Sequence, residues 1–144
     1  MKVEGDLALL IGRPVGQGRT WTKPAELLRG VVGEILTYPT PGDAMDRFGS
    51  QGEALRSARS IVLVVDQRGT AEIHWTWISL FAHLGFGPLI LLVDSVDAEV
   101  EGRARKTGVL RCVEERHLAR HPGILVRAVR GALDRGLQFL AAPS

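Results

Sequence analysis

The chain reads as an α/β protein: a doubly wound, mainly parallel sheet with helices on both faces. Three observations predict this. Residues 61–65 (Ile-Val-Leu-Val-Val) and 89–93 (Leu-Ile-Leu-Leu-Val) are short and wholly apolar, as strands covered on both faces must be. Longer segments with helical spacing separate such runs, the alternation that builds a parallel sheet. The 144 residues carry no internal repeat and no long linker, so residues 1–144 are expected to form one domain.

The elements follow in order. Residues 7–11 are the first apolar run, closed by Gly12. Residues 25–32 have helical spacing, with Pro24 suited to a first turn. Residues 34–37 are a weaker strand, ending in Tyr38-Pro39-Thr40-Pro41-Gly42, read as loop. Residues 43–58 read as a helix, with a break expected at Gly49 or Gly52. Residues 61–65 are the clearest strand, because four of the five are β-branched. A helix over 71–84 puts Ile73, Trp77, Leu80, Phe81 and Leu84 on one stripe, before the strand at 89–93. Residues 109–121 fit strand or helix, and the segment 99–122 is otherwise unassigned. A closing helix over 123–141 presents Leu125, Val129, Leu133, Leu137 and Leu140, weakened by Gly131 and Gly136.

Composition excludes several classes. Cys112 is the only cysteine, so no internal disulfide forms. No Cys/His cluster has metal-ligand spacing, and no apolar run is long enough to span a membrane. The polar start of the chain does not read as a signal peptide, so a cytoplasmic protein is expected. Residues 1–102 hold 9 basic and 13 acidic side chains, whereas 103–144 hold 9 and 3. A protein partner is therefore expected, with residues 103–135 suited to an acidic or nucleic-acid contact. That region lacks the interleaved aromatic residues that stack bases.

In a doubly wound sheet, ligands bind beyond the carboxyl ends of the strands. Those ends are the loops at 12–20, 38–43, 66–70 and 94–98. The first reads Gly12-Arg13-Pro14-Val15-Gly16-Gln17-Gly18-Arg19-Thr20. Strand, glycine-rich turn and helix form a phosphate cradle, in which Arg19 and Thr20 stand where a cation and a Mg²⁺-binding hydroxyl complete the site. The glycine spacing is one residue longer than usual, and Arg replaces Lys.

In order, the four loops resemble the G domain of translational GTPases of the elongation factor Tu type, over about residues 7–98. Residues 13–20, R-P-V-G-Q-G-R-T, stand against G-H-V-D-H-G-K-T; Pro39-Thr40-Pro41-Gly42-Asp43 against D-x-P-G-H; and Asp94-Ser95-Val96-Asp97 against N-K-x-D. The resemblance implies a P-loop GTPase-like fold. It implies GTP or GDP bound by Gly12, Gly16, Gly18, Arg19, Thr20, Gly42 and Asp97, with Thr20 as the Mg²⁺ ligand. It also implies losses. Switch I is missing, Pro39 replaces the metal-supporting Asp, Asp43 the water-orienting His, and Asp94 and Ser95 the Asn and Lys. The expectation is a shortened, degenerate G domain with little or no hydrolysis, acting as a regulatory or scaffold module.

Two other functions fit the same sheet. One is a small enzyme cleaving nucleotide N-glycosidic bonds, with Glu72 as its carboxylate beside Asp66. The other is a non-catalytic protein-interaction domain. Trp77 is expected in the core; Trp75, on another face, is half-buried or a contact. Trp21 is expected to cap the first helix, the alternative being to cover a bound base. His117 and His121 are expected at the surface, and Cys112 as a buried thiol.

Overall fold

A computed structural model describes residues 5–12, 23–70 and 72–141, with backbone alone for 135–141. Its elements are β1 (Asp6–Ile11), α1 (Pro24–Leu28), β2 (Glu34–Tyr38), α2 (Pro41–Arg56), β3 (Ser60–Asp66), α3 (Trp75–His83), β4 (Leu89–Val93), α4 (Ala98–Thr107), β5 (Arg111–Glu114), α5 (Glu115–Arg120) and α6 (Gly123–Ala141). The strands form one sheet in the order β2-β1-β3-β4-β5, and every pairing is parallel. This is one of the two common doubly wound orders.

Alternation along each strand builds two cores. Leu7, Leu9, Ile11, Leu63, Val65, Leu89 and Leu91 face one side, where Ala44, Phe48 and Leu55 of α2 and Ile78 and Phe81 of α3 cover them. Ala8, Leu10, Val62, Val64, Ile90 and Leu92 face the other, against Leu28 of α1, Leu118 of α5 and Leu125, Val129 and Leu133 of α6. All seven residues of β3 are buried. Phe48 is the aromatic hub of the first core, with Tyr38, Phe81 and Phe86 rings at 5.3, 5.8 and 5.0 Å.

Several boundaries differ from expectation for local reasons. Helix α1 stops at Leu28 because Arg29 turns extended and Gly30 takes a φ of 84°. Helix α2 begins at Pro41, inside the segment read as loop. Thr40 caps it by accepting the Asp43 N–H at 3.2 Å, and Pro41 fills the first position, where no N–H is needed. Neither Gly49 nor Gly52 breaks that helix. The segment left unassigned supplies α4, β5 and α5, so the sheet gains a fifth strand.

Candidate functional site

The chain leaves β1 toward β2 on one side and runs β3-β4-β5 on the other. The direction reverses between β1 and β3, so the ligand crevice of such a sheet lies at their carboxyl ends. Gly12 follows β1 there, and Asp66 ends β3.

Asp66 is buried and fully engaged. Its Oδ1 accepts the Arg68 backbone N–H and the Arg68 Nε–H, both at 3.0 Å, and its Oδ2 accepts from Nη2 at 2.8 Å. The other arm of the guanidinium, Nη1, donates to Glu115 Oε2 at 2.6 Å. Only 1% of the Arg68 side chain is exposed, with 13% and 19% for its two carboxylate partners. Burial alone would lower the guanidinium pKa; the hydrogen bonds and charge of Asp66, then of Glu115, outweigh it and hold the pKa above its ordinary value. Arg68 therefore remains a cation inside the rim, in the bidentate geometry that suits a carboxylate.

The adjoining loops are tied down in the same way. Gln67 N–H donates to the Leu92 carbonyl at 2.8 Å, and Gln67 Oε1 accepts the His74 N–H at 2.9 Å. Gly69, at a φ of 78°, donates its N–H to both Asp94 carboxylate oxygens at 3.1 Å. Glu114 Oε1 accepts the Val96 N–H at 2.6 Å, and its Oε2 accepts Arg116 Nε–H at 3.1 Å. The Val96 hydrogen bond, then Arg116 and His117, lower the Glu114 pKa against the opposing effect of burial.

The residues singled out from the sequence take varied places. Gly16, Gly18, Arg19, Thr20 and Trp21 lie outside the described residues. Gly12 donates its N–H to the Tyr38 carbonyl at 2.7 Å, and a Cβ on it would fall 2.6 Å from the Pro39 carbonyl oxygen. It is glycine for a close passage between chain segments. Gly42 sits in the first turn of α2. Asp97 is the N-cap of α4, its Oδ1 accepting the Val100 N–H at 2.8 Å. Glu72 is exposed, while Asp66, its partner in the N-glycosidase reading, is paired with Arg68. Trp77 stacks on Phe81, and Trp75 is half-buried with the Arg103 guanidinium 5.9 Å from its ring centre. His117 and His121 are exposed, and His117 Nδ1 stands 3.5 Å from Glu114 Oε2. Cys112 is half-buried; burial and Glu101 raise its pKa.

Sequence reasoning missed Arg68 and Glu115. The available signal was a cation two residues beyond a carboxylate that ends a wholly apolar strand.

Among the described residues, no group of three or more His, Cys, Asp or Glu side chains could hold a metal ion. No described helix is long and apolar enough to cross a membrane.

No protein-family model matches the sequence, and no curated protein matches it. The fold is similar to that of the response regulator Rcp1, whose crystal structure is of a Mn²⁺-bound form. The TM-score is 0.56 at 16% identity, over 96% of this chain and 99% of that one. At that identity the likeness concerns the fold.

It corrects the resemblance drawn from the loops. The fold is similar to that of Rcp1, and neither a translational GTPase G domain nor a GTPase-like regulatory or scaffold function follows from it. The matched motifs misled because glycine, proline and aspartate serve local geometry here. Pro39-Thr40-Pro41-Gly42-Asp43 opens a helix, and Asp97 caps one.

Proposed function

We propose that this chain is a signalling domain that acts by docking a protein partner, and that its rim is closed by its own guanidinium. One observation carries the reading: Arg68 occupies Asp66 and Glu115 together, in a place where the fold would offer carboxylates to a ligand. A divalent cation at these two side chains would have to displace a buried guanidinium that donates side-chain hydrogen bonds to both of them. The residues present do not fit a metal, although the related fold of Rcp1 is known with Mn²⁺. With that chemistry closed, the surfaces of α4, β5, α5 and α6 remain to communicate a state. They carry the basic excess of the sequence, in keeping with a charged protein partner.

Calorimetric titration with MnCl₂ tests the closed rim. The native chain should show no saturable binding below the millimolar range, and Arg68→Met, which leaves both carboxylates without that cation, should gain it. Micromolar Mn²⁺ binding by the native chain, lost in Asp66→Asn, overturns the reading.

A further inference from the structure

Among the described residues, strand β5 lies at the end of the sheet, paired with β4 alone. Its free side is the floor of a groove of about 560 Å³, walled by Glu101, Ala104 and Arg105 of α4 on one side and by Arg116, His117 and Ile124 on the other. The hydrogen-bond pattern shows which backbone groups face it. Leu63 donates to the Pro88 carbonyl and Gln67 to that of Leu92, so the even-numbered residues of β4 serve β3. The odd-numbered ones serve β5, where the register sets Leu91 opposite Cys112 and so engages the flanking Arg111 and Val113. The N–H and C=O of Cys112, with the Glu114 N–H, are left pointing into the groove.

The walls have a sign. Arg105, Arg111 and Arg116 stand against Glu101 and Glu114; Arg105 pairs with Glu101 and Arg116 with Glu114, so the arginines exceed the glutamates by one charge and Arg111 stands outside those two pairs. Between the charges lie Val96, Val109 and Ile124. The groove at the opposite edge, along β2, has one acid and one base, Asp43 and Arg47, and no such bias.

We infer that the β5 edge accepts an extended acidic segment of a protein partner as a sixth strand of the sheet. Main-chain hydrogen bonds to Cys112 and Glu114 would hold it, and alternate carboxylates would meet Arg105, Arg111 and Arg116. The inference rests on the docking function proposed above and names the chemistry of the partner.

The probe is a blocked octapeptide alternating glutamate and valine, added to the full chain and followed by amide NMR and hydrogen exchange. Saturable shifts and slowed exchange are expected at the Cys112 and Glu114 amides. A lysine–valine peptide should not bind. N-methylation of alternate peptide residues, which keeps the charge and removes the donors, should weaken binding by about tenfold or more. Arg111→Glu, at an exposed position, should do the same. Failure to bind, equal binding of the basic peptide, indifference to N-methylation, or shifts centred on β2 would each overturn the inference. In the first case the arginines would be guards against edge pairing. Such a failure, with the native chain still refusing Mn²⁺, leaves the docking function in place on another surface; Mn²⁺ binding to the native rim removes that function itself.

Discussion

Replacing Arg68 by Met is the most informative perturbation of this molecule. Methionine has similar length and no charge. The change removes the contacts at 3.0 and 2.8 Å to Asp66 and at 2.6 Å to Glu115. It leaves two carboxylates, 13% and 19% exposed, without that cation. Breaking a buried ion pair from one side costs about 3–5 kcal/mol, chiefly because the remaining charge stays desolvated. Native domains are stable by about 5–15 kcal/mol, so the loss would be a large share. With a urea dependence of about 2 kcal/mol per molar, the unfolding midpoint should fall by about 2 M. The double variant Asp66→Asn/Arg68→Met should recover much of this. A neutral amide costs less to bury, and its oxygen keeps the backbone N–H of residue 68 as donor. Equilibrium urea unfolding of the native chain, Arg68→Met, Asp66→Asn and the double variant closes the cycle. A single variant within about 0.5 kcal/mol of native, the scatter of ordinary surface changes, refutes the argument that the rim depends on this cation. So does a double variant less stable than the single.

Three further outcomes follow from the geometry. Asp97→Ala should lower stability by about 1 kcal/mol through loss of the α4 cap, read as a lowered melting temperature, and Asp97→Asn should retain most of it. Gly87→Ala should be far more damaging than a surface change, because its Cβ would lie 1.9 Å from the Ile61 carbonyl oxygen; a melting curve like that of the native chain would contradict the close approach. Glu114 has a folded pKa below its ordinary 4.5. Its stabilising contribution is therefore complete above that value and is lost as pH falls through the lower, folded one. Glu114→Gln should flatten the acid limb of stability against pH, and an unchanged limb in thermal melts at stepped pH would show that Glu114 does not contribute.

How much of this was legible in the sequence depended on what kind of signal each element carried. Strands β3 and β4 announce themselves because burial on both faces requires uninterrupted apolar residues. Helix α4 offers only Ala98, Val100 and Ala104 as apolar markers, and periodicity cannot find it. Its signature is at its ends: Asp97 as cap, acids in the first turn, Arg105 and Lys106 in the last, and Gly108 at a φ of 91°. Reading Asp97 as a base-recognising residue concealed that signature. The same confusion hid the start of α2, where Thr40 and Pro41 are a cap and a first turn. The strand ends were legible, and with them the rim of the sheet, but the pairing of Asp66 with Arg68 and Glu115 was not. A buried arginine looks like any surface arginine in a sequence, and only the fold brings Glu115, 47 positions away, to its second arm.

The guanidinium between Asp66 and Glu115 is a counter-ion that arrives with translation. It cannot be stripped by a chelator, diluted by dialysis or outcompeted when cellular magnesium falls. A rim built this way needs no bound metal ion to balance the charge of its two carboxylates.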